Sequence, residues 1–583
     1  MTWTEWFIFL LILQIVHGLG TWKLYVKAGR KAWEAFAPVY NAVILMKIVS
    51  RPWWWVILMF LPIVNLIMIP AAWVETARAF GKDTKLDALI CIVTLGFYLY
   101  YLNYMADVNY VENRELKPKT SAGEWITSIL FAVVAATIVH TYFFQPFVIP
   151  SSSLEKSLLV GDFLIVSKIH YGARTPMTTV AAPMVHDTIP KLGIKSYLYD
   201  DNFEKRNTSL INKLQLPYFR LPGFESVERN DIVVFNQPAD TLINMNDFNP
   251  DRNYYKPIDK KTNLVKRCVG LPGDTLEIRN GYVFTNGVQN ELPDRTDLKH
   301  FYVLTTKRQL TQQFLNKFDV ENYYPTYSIK ASIWDNPKIK EFIKLNDDRI
   351  PILKEVERDS INVTVFGVFD GSINLARELN PISDKYILNL ASSDINKVKV
   401  QPETKSLVQY VNPNYNHETF PMDPNFSWNY DNFGPLWIPK AGETINLSLD
   451  NLPLYKRAIG EYEGNKIVTR GNQIFINDEP ATSYTFRQDY YWMMGDNRHN
   501  SIDARAWGFV PYNHIFGKPV FIWMSIDGIN DGIKNWSPRW DRIFTTVSGT
   551  GERRSYLIPF LVVILGIYGF TKWRKKKKAK TSS

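Results

Sequence analysis

Residues 125–168 read WITSILFAVVAATIVHTYFFQPFVIPSSSLEKSLLVGDFLIVSK, and the junction inside this stretch decides how the rest of the chain is read. Trp125 to Val148 is apolar over the length, about 20 residues, that a helix needs to cross a bilayer. At Ile149 and Pro150 the composition changes, and three hydroxyls follow at once: Ser151, Ser152 and Ser153. A serine delivered there acts on something else held at the membrane face.

Toward the N-terminus, Trp6 to Gly20, Trp53 to Trp73 and Leu86 to Tyr104 are three further apolar segments. Residues 1–123 therefore predict a membrane region of about three spans, and 124–148 a transmembrane helix leading to the serines. The first segment has no basic leader and no small-residue cut site, so it is expected to stay as an anchor. Lys23, Lys27, Arg30 and Lys31 place the first loop in the cytoplasm, and four crossings then deliver Ser151 to Ser153 to the outer face. Pro62, Asn65 and Pro70 interrupt the second segment, which leaves a re-entrant hairpin open there. At the other end, SYLIPFLVVILGIYGF at 555–570 runs into WRKKKKAK at 573–580. Residues 555–583 thus predict a C-terminal transmembrane helix and a basic cytoplasmic tail.

A chain of 583 residues is too long for one ordinary core. Its hydrophobic content of 46% gathers at the two ends, and much of the net charge of +10 sits in the basic tail, which argues against nucleic acid as a partner. The two cysteines, Cys91 and Cys268, offer no disulfide framework. The eight histidines are dispersed without paired-ligand spacing, so neither a metal nor another cofactor is expected.

Between Pro150 and Arg554 the chain reads mainly as β structure. DIVVFNQP (231–238), LEIRNGYVFTNG (276–287), NKIVTRGNQIFINDEP (465–480) and KPVFIWMSID (518–527) combine β-branched and aromatic residues with Gly and Asn turns, and two of them look like hairpins. The expected architecture is a multi-pass α-helical membrane anchor joined to a mainly β exported catalytic domain. That domain has a first part at 149–292 and a second at 455–554, separated by an inserted α+β or β domain at 293–454 whose role is not legible.

Three islands carry chemistry: IPSSSLEKSLLVGD, LVKRCVGLPGD and GDNRHNSIDARAWGFVP. Lys266 follows two apolar residues, and burying an ammonium lowers its pKa because desolvation disfavours the charged form. A neutral lysine within hydrogen-bond reach of Ser153 makes a complete nucleophile-activating pair. In the third island Ser501 is expected to steer the amine, and Asp503 with Arg505 to pin the loop as an ion pair. The backbone N–H of Ser153 and the hydroxyl of Ser151 are the candidate oxyanion donors. Each island alone is also what an ordinary loop or solvated face looks like. Their order and the preceding span carry the argument, and the lone His499 is read as a loop histidine.

The islands, together with the stretch Arg229 to Phe235, resemble the boxes of bacterial type I signal peptidases, membrane-bound serine–lysine proteases; the added membrane segments are similar to those of the larger Bacteroidetes-type members. Pro150 to Ser153 matches the family's Pro-Ser-x-Ser, Lys266 to Asp274 its lysine box, and Gly495 to Arg505 its Gly-Asp-Asn box. The resemblance implies Ser153 as nucleophile, Lys266 as general base, Ser151 in the oxyanion hole, Ser501 as lysine-positioning serine and Asp503 with Arg505 as structural pair. It places Phe147, Ile149, Pro150, Leu154, Val234 and Val265 at the substrate pockets. Leu154 stands where methionine is usual, a nearly volume-conserving change. Glu155, Lys156 and Ser157 replace a common x-Pro-Thr, and Asn230 replaces a glycine.

The implied activity is removal of N-terminal signal peptides, after small residues, from exported preproteins. The implied place is the outer, periplasmic face of the bacterial cytoplasmic membrane. The lipid bilayer and the protein translocation machinery are the further partners this reading brings in. Two other classes remain: a non-enzymatic envelope binding protein with a degenerate protease fold, and a self-cleaving serine–lysine regulator. The complete set of Ser153, Lys266, Ser501 and Asp503 argues against the first, and the membrane spans against the second.

Overall fold

The computed structural model describes the chain except at residues 113, 117–119, 201, 203, 204, 206, 207, 239–255, 319, 321, 340–352, 368–373, 417, 582 and 583. The basic cluster expected in the cytoplasm lies outside the described side chains from residue 575 on.

Among the described residues three helices are long and apolar enough to cross a membrane: α1 (Trp3–Lys27), α2 (Ser121–Ile138, carried on by a π-turn to Phe143) and α3 (Leu557–Thr581, its apolar span Leu557–Arg574). Helix α1 starts at Thr2, which accepts from the Glu5 amide while Glu5 reaches back to the Thr2 amide, so two orphan donors of the first turn are satisfied. The other two apolar segments are not straight spans. Trp53 to Trp73 breaks into Trp55–Phe60 and Asn65–Ala79, with Pro62 in the gap, where it can neither donate to the helix nor continue it. Leu86 to Tyr104 is a pair, Lys85–Val93 and Tyr98–Tyr104, bent by 113°. At the bend Leu95 and Gly96 take left-handed conformations, and Gly96 lies so close to the Trp73 indole that a Cβ would meet it at 2.6 Å. These helices close around one apolar core that includes Leu24, Ile44, Met46, Phe80 and Leu102.

The remainder is mostly β. Seven strands form the path of the principal sheet: β1 (Phe144–Val148), β2 (Asp162–Ser167), β3 (Ile232–Asn236), β4 (Asn263–Gly270), β5 (Tyr490–Met494), β6 (Val510–Pro511) and β7 (Ile515–Asp527). Their order is β1-β2-β7-β3-β4-β5-β6, and every neighbouring pair is antiparallel. The long strand β7 changes partner along its length. Ile515 and Gly517 pair with β3, while Lys518 to Ser525 pair with β2. At the changeover a Cβ on Gly517 would lie 2.5 Å from the Ser167 carbonyl, so only glycine admits this close passage. The sheet curls there into a half-barrel, and β1 is brought round beside β2 with the serine turn at its end.

The two predicted hairpins form. Thr275–Arg279 pairs with Tyr282–Thr285 across Asn280 and Gly281, both at positive φ as a type I′ turn requires. Ile467–Arg470 pairs with Gln473–Ile476 across Gly471 and Asn472. Between them in the chain stands a separate six-stranded antiparallel sheet, ordered Lys354–Arg358, Asn362–Phe366, Tyr323–Lys330, Asn380–Ala391, Lys299–Thr306 and Thr404–Gln409. After it, Phe433–Trp437 returns to pair with Thr275–Arg279. The largest core, with Leu276, Phe433, Phe486, Trp492 and Phe509, seals that return against β5.

Candidate active site

Strand β1 ends at Val148, and the chain turns through Ile149 and Pro150 into a single 3-10 turn, Ser152–Leu154. The turn is closed by Leu154, which is buried in a core with Ile149, Leu158, Leu164, Val234 and Ile522. That anchoring carries Ser153 inward, to 8% exposure, whereas Ser151 stays exposed in extended conformation. Lys266 lies in the middle of β4, directly opposite Val233 of β3, and is 6% exposed. Its Nζ meets Ser153 Oγ at 2.6 Å. Two residues 113 positions apart are thus joined by one buried contact.

Burial lowers the Lys266 amine to a pKa of about 8, against the opposing pull of Asp503 and Asp496 and with help from Arg505. Desolvation prevails because each carboxylate is already committed to a guanidinium. Asp503 accepts Nε and Nη2 of Arg505, both at 2.8 Å, and neither residue is exposed at all. Burial pushes the Asp503 carboxyl up, but Arg505 outweighs it and holds the group below the usual carboxylate range. Arg505 also donates to the Arg498 and Tyr430 carbonyls, and Asp503 accepts the Gly495 amide at 3.0 Å. The expected ion pair therefore ties both ends of the Gly-Asp-Asn loop.

A second buried pair was not foreseen from the sequence. Arg267, next to Lys266, donates from Nε and Nη2 to the two oxygens of Asp496 at 2.8 and 2.7 Å. The Ser157 hydroxyl donates to the same carboxylate at 2.5 Å. Burial raises the Asp496 carboxyl and Arg267 more than reverses it. This pair joins β4 to the loop and to the segment after the serine turn. The signal was present in the adjacent Lys266 and Arg267, but an Arg beside a Lys reads as a solvated face.

Asn497 was missed as well. Its amide N–H donates to the Ser153 carbonyl at 3.0 Å and its Nδ2 to the Ser152 carbonyl at 3.2 Å, so the loop grips the serine turn through the backbone. Gly495 packs against the same turn: a Cβ there would lie 2.6 Å from the Ser153 carbonyl and 2.2 Å from Ser501 Oγ. Ser501 is buried beside it, and its Oγ makes no hydrogen bond among the described residues, so the structure does not join it to the lysine amine.

Of the expected pocket residues, Ile149, Leu154 and Val234 belong to one buried core, and Phe147 and Val265 pack against it. Pro150 is exposed. Among the described residues no group of three or more His, Cys, Asp or Glu side chains is placed to hold a metal ion.

A serine hydroxyl facing a lysine amine of lowered pKa has what nucleophilic attack on a carbonyl requires. The family described as signal peptidase, peptidase S26, matches residues 122–325 and 482–524, which include Ser153, Lys266, Asp496, Ser501 and Asp503. A family of unknown function (DUF5684) matches residues 33–113. Signal peptidase I of Buchnera aphidicola subsp. Acyrthosiphon pisum is 23% identical over 439 residues, covering 75% of this chain and 87% of that protein. Signal peptidase I of Haemophilus influenzae is 21% identical over 439 residues, covering 75% and 79%. Signal peptidase I of Helicobacter pylori (strain J99) is 41% identical over 69 residues, covering 10% and 24%. The chain carries a signal peptidase S26 domain and is a serine peptidase similar to bacterial type I signal peptidases.

Proposed function

We propose that this chain is a membrane-held serine endopeptidase that removes N-terminal signal peptides after small residues, with Ser153 as nucleophile and Lys266 as general base. The observation that carries the reading is the buried 2.6 Å contact between Lys266 Nζ and Ser153 Oγ. The neutral amine accepts the Ser153 proton as Oγ bonds to the scissile carbonyl carbon, and a tetrahedral oxyanion forms. The Ser153 amide and the Ser151 hydroxyl donate to that oxyanion. The C–N bond then breaks, and the ammonium of Lys266 returns its proton to the departing amine. Water enters, gives a proton to the Lys266 amine and attacks the ester carbon; Oγ leaves and takes that proton back from Lys266.

The substrate lies extended and pairs through its main chain, with alternate side chains entering shallow pockets formed by Phe147, Ile149, Pro150, Leu154, Val234 and Val265. The apolar helices support a multi-pass anchor with the catalytic strands on the outer face, and residues 293–454 are read as an insert into the catalytic domain. Anchoring enzyme and preprotein in one bilayer raises their effective concentration without any new contact.

The test is the purified full chain in detergent, given a peptide with an Ala-x-Ala site. Cleavage after the second alanine, lost in Ser153→Ala and in Lys266→Ala, is the expected result. Undiminished cleavage in either variant contradicts the assignment.

A further inference from the structure

We infer that the six-stranded sheet takes part in catalysis by holding the Asp496–His499 loop, with Asn389 as its positioning residue, an inference that rests on the Ser153 and Lys266 reading above. Asn389 and Phe301 are direct partners on adjacent strands of that sheet, and both reach the loop. Asn389 Nδ2 donates to Asn497 Oδ1 at 2.8 Å, with both residues buried. The Phe301 amide donates to His499 Nδ1 at 3.0 Å, and the two rings stack at 4.8 Å and 9°. At the start of the same strand the Lys299 amide donates to the Asp496 carbonyl at 3.0 Å, and the Arg498 amide donates back to the Lys299 carbonyl at 2.9 Å. The sheet thereby touches each of the four loop residues.

The Asn389 contact has a specific consequence for the serine turn. A backbone carbonyl only accepts, so the Asn497 amide must direct Nδ2 at the Ser152 carbonyl, which leaves Oδ1 on the opposite side in need of a donor. Asn389 supplies that donor. Without it a buried oxygen is left unpaired, and the Asn497 amide loses the contact that fixes its plane, which loosens its hold on Ser152. Asn389 touches no reacting atom; it acts on Ser153 through Asn497.

The experiment is steady-state cleavage of the Ala-x-Ala peptide by the full chain in detergent. Asn389→Ala should lower kcat about 10-fold and leave KM within about 2-fold, the size expected of one unpaired buried group. In an Asn497→Ala background the same substitution should change kcat by less than about 2-fold, because the coupled partner is gone. Glu357→Ala, on an exposed part of the same sheet, should leave kcat unchanged. Asn389→Leu keeps the branched shape without the donor and gives the same comparison if the alanine variant does not fold. An unchanged kcat in folded Asn389 variants overturns the inference. So does an undiminished effect in the Asn497→Ala background, or an equal loss in Glu357→Ala. A wild-type chain that leaves the peptide intact contradicts the protease reading and takes this inference with it.

Discussion

Two lysines of this molecule are buried in similar surroundings, and they are put to different use. Lys168, just past the end of β2 and after Ser167, and Lys266, within β4 and after Leu264 and Val265, are both nearly inaccessible. Burial brings the Lys168 amine to a pKa of about 7, with Arg174 adding to the effect, and the Lys266 amine to about 8. On pKa alone Lys168 is the better base at neutral pH. Its Nζ, however, donates to the Thr141 carbonyl at 3.1 Å and stands 4.3 Å over the Phe516 ring. A carbonyl has no proton to give, and a ring face favours the ammonium. Lys266 instead faces the hydroxyl of Ser153, the proposed nucleophile. A lowered pKa marks a buried amine; the group set against it decides whether that amine does chemistry.

The contrast is broken most decisively by exchanging the roles. Ser153→Ala and Lys266→Ala should each lower kcat by more than about 10³-fold, while Lys168→Met should stay within about 3-fold. A comparable loss in Lys168→Met would mean that the two amines had been assigned the wrong way round.

The next effect concerns the charges that Lys266 has nearby. Arg267→Met leaves Asp496 buried without its guanidinium, and equilibrium unfolding should show a loss of about 3–5 kcal/mol. A loss below about 1 kcal/mol would show that Asp496 finds another partner or a proton at little cost.

Gly495→Ala sharpens the comparison from the side of the serine. Its Cβ has to displace the Ser153 carbonyl or Ser501, so kcat should fall about 100-fold, as expected for a nucleophile moved by a fraction of an ångström to one ångström. Near wild-type kcat in that variant would show that the turn yields without moving Oγ.

The smallest effect belongs to the neighbouring hydroxyl. Ser152 Oγ accepts from Asn500 Nδ2 at 3.0 Å at an exposed site, and Ser152→Ala should keep kcat within about 2-fold. A large loss would move the nucleophile by one position.

What could be read from the sequence follows the same division. Ser153, Lys266, Asp503 and Arg505 stand in short runs whose residue types and order point to the proposed chemistry, and hairpins such as the one at Asn280 and Gly281 are encoded by the residues that turn them. Lys266 follows Leu264 and Val265, whereas Lys168 follows Ser167, and neither run states which group faces the amine. The contacts of Asp496 with Arg267, of Asn497 with the serine turn, and of Asn389 with Asn497 join residues 108 or more positions apart, and no local pattern announces them. Ser501 was expected to hold the amine, yet it lies beside Gly495 with its hydroxyl unpaired among the described residues. The breaks in the second and third apolar segments were half legible. Pro62 announced the first, while the 113° bend at Leu95 and Gly96 depends on packing against Trp73.

The account depends on a neutral Lys266 amine taking the Ser153 proton, and the pH dependence of kcat/KM reports the free enzyme's base. Cleavage should rise from about pH 6 and level off above an apparent pKa near 8, because the base is protonated below that value and free above it. Lys168→Met should leave the midpoint where it is. A profile that is flat from about pH 6 to about pH 9, or an acid limb that vanishes in Lys168→Met, would contradict the assignment.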